Sequence, residues 1–176
     1  QISGINEKNQ IFLLEELDKF TINNIFEINQ SSIISIIDKV DIIENYEIFK
    51  RYPSTLEINI EETKLLVLKN MDGQNYALGS NGKYIYFEDK QNDLPYIFGN
   101  FKNEDFFRLK KTIDQSAFDY SEIKNLFSFP SGRFDIETKN GVLILLPREG
   151  IKESLELSVE LLSITIEASV VLVGSK

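Results

Sequence analysis

Two Ser-x-x-Lys spacings are the best candidates for covalent chemistry in the sequence. Ser121 stands three positions before Lys124, and Ser80 stands three positions before Lys83. In serine acyl-transfer enzymes this spacing supplies a nucleophilic hydroxyl and a nearby amine, and Ser-Asp-Asn and Lys-Thr-Gly motifs complete the site. The sequence contains neither completing motif, and with 15 Ser and 15 Lys in 176 residues about one such spacing is expected by chance. We therefore expect no acyl-enzyme chemistry.

Other catalytic and ligand-binding patterns are incomplete as well. The chain has no His and no Cys, which removes the commonest general base, the thiol nucleophile and the usual zinc ligands. The glycines of residues 79–83 (GSNGK) precede the alternating run 84–87 (YIYF), which favours a hairpin turn over a phosphate loop that opens a helix. The 28 acidic residues form no calcium-loop pattern. The sequence predicts no catalytic residue, no metal site and no cofactor.

The charge balance excludes several classes of partner. The chain has 19 Lys and Arg residues against 28 Asp and Glu, a formal net charge of −9, and its basic residues are scattered. Nucleic acids and anionic lipids both require a positive surface, so we expect the chain to bind neither. Its apolar runs are far shorter than the roughly 18 residues that span a bilayer. Because the chain starts at Gln1 and its only Met is Met71, we expect it to be part of a longer protein, in which any signal or membrane anchor would lie upstream.

The first 64 residues have the pattern of a small α+β domain. An amphipathic helix is predicted from Asn9 to Phe20, and a second helix after a cap at Ser31 or Ser32. Residues 1–4 (QISG) are typical of a strand end followed by a turn. Further strands are predicted at residues 25–28, 46–51 and 55–61, with a turn at 52–54. In the last of these strands, Leu56, Ile58 and Ile60 fall on one face. The predicted order of elements is β-α-α-β-β.

The rest of the chain is richer in strands. Three dipeptides favour positive φ and predict tight hairpins, namely Asp72-Gly73, Asn81-Gly82 and Asn140-Gly141. Helices are predicted from Asn103 and from Ile151 to Leu162, and a last strand from Ala168 to Val173. The charge balance changes from 6 basic and 12 acidic side chains in residues 1–64 to 13 and 16 in residues 65–176. We expect two domains with these bounds and an α+β fold, in which a mostly antiparallel β domain with two helices follows the β-α-α-β-β domain.

Several motifs follow one another along the chain in the order known from one protein family. Residues 46–62 (YEIFKRYPSTLEINIEE) contain a strand that ends in a basic residue, an aromatic-Pro turn and an alternating strand closed by acids. Residues 131–136 (SGRFDI) are similar to an Arg-Trp-Asp segment, with Phe134 in place of the Trp. Further matching segments are residues 2–4, 24–28, 79–85, 94–99, 140–141 and 146–147. Together they resemble the periplasmic part of the FtsQ/DivIB family of bacterial cell-division proteins.

The resemblance implies a single-pass protein of the bacterial cell inner membrane, anchored by an N-terminal helix that this chain does not include. The chain would lie on the periplasmic side at the division septum, as a POTRA domain (residues 1–64) followed by a β domain (residues 65–176). It would be a non-catalytic scaffold of the divisome. The POTRA domain would meet an FtsK-like upstream protein, and the β domain would bind the FtsB–FtsL pair and so help control septal peptidoglycan synthesis.

The partner-binding residues are expected at the edge of the second domain. Residues 168–173 (ASVVLV) have no Pro and no charge, so this predicted strand is either buried in its own sheet or accepts a partner strand. Val171 and Val173 are the candidates for that edge. Arg133 is the candidate for an ion pair with a carboxylate on FtsB, and an ion pair within its own sheet is the alternative.

Two other function classes remain open at this point. A POTRA-containing module of an outer-membrane assembly or secretion system would be expected to carry further POTRA repeats, which residues 65–176 do not resemble. A periplasmic enzyme of cell-wall metabolism would need the His, Cys or Ser-Asp-Asn residues that the sequence lacks.

Overall fold

The fold mixes helices and strands, which confirms the predicted α+β class. The computed structural model describes residues 1–19, 30–51, 55–88 and 93–173, and the side chains of its last helix as far as Ser163. The helices are α1 (Glu7–Asp18), α2 (Gln30–Ile37), α3 (Asn103–Asp114) and α4 (Ile151–Val173). The strands are β1 (Ile2–Ser3), β2 (Ile43–Arg51), β3 (Thr55–Glu62), β4 (Leu65–Met71), β5 (Gln74–Gly79), β6 (Tyr84–Tyr86), β7 (Tyr96–Phe98), β8 (Ile123–Ser128), β9 (Phe134–Thr138) and β10 (Leu143–Leu145).

The chain divides into two compact units. The first unit comprises residues 1–66 and 71–87, and the second comprises residues 67–70 and 88–176. The domain bounds expected from the sequence, residues 1–64 and 65–176, stay a prediction. Phe20, the strand expected at residues 25–28 and the turn expected at 52–54 lie outside the described residues.

The first unit contains a three-stranded sheet in the order β1-β3-β2, with two helices between β1 and β2. β1 is parallel to β3, with Ile2 opposite Ile58, and β2 is antiparallel to β3. The predicted β-α-α-β-β order and the apolar face of β3 are confirmed, because Ile58 and Ile60 are buried and Leu56 packs against them. The core of the unit is formed by Ile2, Leu13, Leu17, Ile33, Ile36, Ile37, Val40, Ile43, Ile58 and Ile60.

Both helices of the first unit begin earlier than predicted. α1 begins at Glu7 because the side chain of Asn6 accepts a 3.0 Å hydrogen bond from the backbone N–H of Asn9 and caps the helix. α2 includes Gln30, so Ser31 and Ser32 lie inside the helix and the predicted serine cap is wrong. The orientation of α2 is set by Ile33, Ile36 and Ile37, because these three side chains are buried in the core.

The second unit is built on a sheet in which β10, β9, β8, β7 and β4 follow one another. β7 is parallel to β4 and to β8, whereas β8, β9 and β10 are antiparallel. The helix predicted from Asn103 is confirmed as α3, and its buried face presents Phe106, Leu109 and Ile113. The Asn140-Gly141 hairpin is also confirmed, since it joins β9 to β10 with Gly141 at φ 82°.

The C-terminal segment contradicts the prediction of a last strand. α4 continues from Ile151 to Val173, so Val171 and Val173 lie in its final turns rather than in a strand at Ala168–Val173. The physical reason is that residues 151–173 contain no Gly, Pro, Asn or Asp that could end the helix. None of the described helices combines the length and apolar character needed to cross a membrane.

Candidate functional site

The outer edge of β10 is the candidate functional site, and a tight turn positions it. In this turn the backbone N–H of Thr138 donates to the carbonyl of Val142 at 2.9 Å, and that of Gly141 donates to the carbonyl of Thr138 at 2.9 Å. The hydroxyl of Thr138 accepts the N–H of Val142 at 3.0 Å. Thr138 is buried, so the turn holds the register of β10 firmly against β9.

The register of β10 directs two backbone amides away from β9. Ile144 lies opposite Ile136, Leu143 opposite Glu137, and Leu145 opposite Asp135. Opposed residues of antiparallel strands alternate between hydrogen-bonded and non-hydrogen-bonded pairs. Thr138 and Val142 form a hydrogen-bonded pair, so Ile136 and Ile144, two positions further along the strands, form one as well. Leu143 and Leu145 belong to non-hydrogen-bonded pairs, and their N–H and C=O groups therefore point to the outer edge. Among the described residues, no strand pairs with that edge.

The side chains of β10 divide between the core and the solvent. Ile144 is buried, whereas Leu143 is 56% exposed and Leu145 is 62% exposed. The row that contains Leu145 continues across the sheet through Asp135 and Phe127 to Phe98. The rings of Phe98 and Phe127 stack with their centroids 5.6 Å apart. The row is therefore apolar at the β10 edge and at Phe127 and Phe98, with the carboxylate of Asp135 between these apolar parts.

Two arginines lie around the turn that precedes β9. Arg133 directly precedes β9, where its Nη2 is 3.1 Å from Oδ2 of Asp135 and its guanidinium lies 4.7 Å from the ring centroid of Phe129. Arg148 donates from Nη2 to the carbonyl of Ser131 at 2.6 Å. The sequence alternative for Arg133, an ion pair within its own sheet, is thus present. A role of Arg133 in partner binding stays a prediction.

The carboxylate of Asp135 is buried but has partners. It receives the Arg133 ion pair on Oδ2, and Oδ1 accepts the backbone N–H of Leu146 at 3.3 Å. Burying a charge is costly unless it is paired and hydrogen-bonded. Asp135 therefore holds the guanidinium of Arg133 in position. Its hydrogen bond with Leu146 also links the segment just after β10 to β9.

Glu137 provides a second acidic group beside the edge, opposite Leu143. Its carboxylate accepts hydrogen bonds from the Asn125 amide at 2.8 Å and from Lys124 Nζ at 3.3 Å. The Asn125 hydrogen bond, together with the one from Lys124, holds the pKa of the Glu137 carboxyl below its ordinary value. The carboxylate is therefore ionised at neutral pH, and its charge is balanced by Lys124.

Three side chains of the two Ser-x-x-Lys motifs contact carboxylates. Ser80 donates its hydroxyl to the carboxylate of Glu44 at 2.9 Å, and Lys83 lies 3.6 Å from the carboxylate of Asp41. In the other motif, Lys124 is engaged by Glu137 on the neighbouring strand. In the part of the chain that the structure describes, no group of three or more acidic side chains is arranged to hold a metal ion.

The sequence interpretation placed the candidate edge in the wrong segment. Val171 and Val173 lie in α4, where the structure does not describe their side chains, and it does not bring them together with Arg133 in one sheet. The sequence does not single out Leu143 and Leu145, because the run 142–146 is apolar throughout and does not show which of its side chains are exposed. A signal was present: once residues 151–173 are interpreted as one helix, the hairpin at Asn140-Gly141 contains the last strand of the chain.

Comparison with known proteins gives a distant structural likeness. No protein-family model and no curated protein matches the sequence. Among solved structures, the chain is similar to the major extracytoplasmic domain of the trans isomer of the bacterial cell-division protein DivIB from Geobacillus stearothermophilus. The TM-score is 0.40 and the identity 12%, over 54% of this chain and 87% of that chain. The family of this chain stays a prediction that rests on its own motifs.

Proposed function

We propose that the chain is the non-catalytic, extracytoplasmic scaffold part of an FtsQ/DivIB-like cell-division protein. Its support is the ordered set of family motifs, several of which correspond to defined structural features. Residues 2–3 and 58–59 pair in the parallel β1–β3 ladder, and Asn140-Gly141 forms the turn between β9 and β10. The observation that carries the binding role is the β10 edge, which combines outward-facing amides with two exposed leucines.

The proposed binding mode is addition of a partner strand to β10. Backbone hydrogen bonds from the outward N–H and C=O groups of Leu143 and Leu145 would supply affinity, and the exposed leucine side chains would select apolar residues at alternate positions. The proposed partner is the FtsB–FtsL pair. A carboxylate on FtsB would then share the guanidinium of Arg133, whose side chain is 41% exposed beside its ion pair with Asp135.

The first unit carries the second proposed contact, with an FtsK-like protein that acts earlier in division. In this proposal the complete protein crosses the bacterial inner membrane once, upstream of Gln1, and this chain lies on the periplasmic side at the septum. It would link early and late division proteins and help control septal peptidoglycan synthesis without catalysing a reaction. The helical segment that contains Val171 and Val173 has no part in strand addition.

Calorimetric titration of the chain with the periplasmic segments of its cognate FtsB–FtsL pair tests the proposal. The informative variant is Leu145→Lys, which places a charge in the exposed apolar edge without removing a hydrogen bond to β9. Its matched control is Leu157→Lys, because Leu157 is 58% exposed on α4 and lies outside the sheet.

We expect saturable binding that Leu145→Lys weakens at least about tenfold, the loss of about 1.4 kcal/mol of binding free energy. The Leu157→Lys control should bind like the unaltered chain. Absence of binding by the folded chain would contradict the proposed function. Equal weakening by both substitutions would contradict the assignment of the site to β10.

A further inference from the structure

A cavity of about 290 Å³ lies in the second unit. Phe118, Val159 and Leu162 contribute its apolar part, and Phe118 is almost completely buried. The remaining lining residues are Ala117, Asp119, Glu122, Thr138, Asn140 and Ser163. None of them belongs to β10, so a ligand in this cavity would not occupy the edge proposed for strand addition.

The polar part of the cavity is acidic. The carboxylate of Asp119 accepts the backbone N–H of Ser121 at 2.8 Å, and this hydrogen bond lowers the pKa of Asp119 below its ordinary value. Asp119 is therefore ionised at neutral pH, and the second carboxylate of the lining belongs to Glu122. No Lys or Arg is found among the described lining residues. The amine of Lys139 lies 3.2 Å from the carboxylate of Asp93, and its charge also contributes to the lowered pKa of Asp119.

We propose that this cavity docks a peptide segment of a partner protein in which an apolar side chain of about leucine size is followed by Lys or Arg. The apolar side chain would contact Phe118, Val159 and Leu162, and the cation would lie between Asp119 and Glu122. Ligand-binding pockets in proteins have volumes from about 300 Å³ upward. The volume of this cavity is close to that lower limit, so the cavity suits one side chain better than a large organic cofactor. Because the two carboxylates are exposed, each adds only modest binding energy, and the affinity for a short peptide is weak.

The probe is the blocked tetrapeptide acetyl-Ala-Leu-Lys-Ala-amide, titrated into the full 176-residue chain and followed by amide NMR spectra. Two matched peptides, with Glu in place of Lys and with Gly in place of Leu, separate the charge contribution from the apolar contribution. We expect saturable shifts at the amides that line the cavity. The dissociation constant should increase about fivefold with either matched peptide, and for the Lys peptide it should increase when salt is added.

Variants of the chain provide the second half of the test. The double variant Asp119→Asn/Glu122→Gln should weaken binding of the Lys peptide about fivefold, while Glu104→Gln/Glu149→Gln, which changes the net charge equally, should not. Ala117→Phe fills the mouth of the cavity and should abolish the shifts. The NMR spectrum of Ala117→Phe shows whether this variant folds. If it does not fold, the comparison of the two double variants tests the proposal. Equal binding of all three peptides, shifts outside the lining residues or no saturable binding would overturn the proposal.

Discussion

The hydroxyl of Thr63 donates a 2.6 Å hydrogen bond to Oε2 of Glu44, and the hydroxyl of Ser80 donates to the same oxygen at 2.9 Å. Thr63 is buried, and its hydroxyl oxygen also accepts the backbone N–H of Asn81 at 3.1 Å. The amide of Asn81 in turn donates to the carbonyls of Asp41 and Ile43 at 2.8 and 2.9 Å. Within the first unit, this network of hydrogen bonds joins the turn at residues 79–83 to β2 and to Thr63, the residue that follows β3. Ser80 therefore has a structural role.

Thr63→Val removes the central hydroxyl of that network and keeps the shape of the side chain. Glu44 and the N–H of Asn81 then lose a buried partner, and we expect the free energy of unfolding to fall by about 1–3 kcal/mol. Urea denaturation measures the change. Thr55→Val is the control, because Thr55 begins β3, the strand that Thr63 directly follows, and is exposed. Equal effects of the two substitutions would show that the network contributes nothing to stability.

Gly4 is required by a close backbone contact as well as by its conformation. A Cβ atom at this position would lie 1.9 Å from the carbonyl oxygen of Ile60, whereas a Cβ at Gly73, which has the same φ of 82°, would meet nothing within 4 Å. Gly73→Ala should therefore cost only the positive-φ penalty of about 1 kcal/mol, and Gly4→Ala considerably more, because β1 must move. Thermal denaturation compares the two. Similar midpoints for both variants would contradict this account.

The sequence predicts best those elements that depend on local chemistry. Asp72-Gly73 and Asn140-Gly141 specify hairpins because few residues adopt positive φ readily, and Asp72 does adopt it, at φ 53°. The α3 helix is equally local, since its apolar spacing places Phe106, Leu109 and Ile113 on one face.

The sequence predicts less well those elements whose structure depends on parts of the chain that are distant in sequence. The run 168–173 is apolar and β-branched, and periodicity alone does not separate a strand from a helix in so short a run. The run 142–146 is continuously apolar, which is typical of a strand buried on both faces, yet Leu143 and Leu145 are exposed. Their exposure follows from the face of the sheet to which they point, opposite to that of the buried Ile144, and the sequence of the run does not show which face is covered.

The pKa of Glu137 depends first on Asn125. Asn125→Ala should raise it toward the ordinary value because it removes the largest single cause, and Lys124→Gln should raise it as well because it removes a hydrogen bond and a positive charge. Since the folded-state pKa is lowered, the stability contributed by Glu137 is present above the unfolded-state pKa and is lost as pH falls through the folded-state value. Carbon-detected NMR titration of the carboxyl measures the shifts. A Glu137 pKa that stays lowered by the same amount in Asn125→Ala would contradict this account.

Arg133 is expected to stabilise the fold in addition to its proposed contact. Arg133→Met leaves the buried Asp135 without its cation, and we expect a loss of about 1–3 kcal/mol in the free energy of unfolding. Arg148→Met, on an exposed arginine that bonds only a carbonyl among the contacts described, should cost less. Adding Asp135→Asn to Arg133→Met should recover part of the loss. A double variant as unstable as the sum of the two single variants would contradict the ion-pair explanation.

Hydrogen exchange at β10 is the most direct test of the central claim that its edge receives a partner strand. In the free chain, the amides of Leu143 and Leu145 should exchange rapidly and that of Ile144 slowly, because only Ile144 donates to β9. Addition of the FtsB–FtsL pair should protect Leu143 and Leu145 and leave Ile144 almost unchanged. Protection confined to other segments, with Leu143 and Leu145 still exchanging rapidly in the complex, would contradict the account.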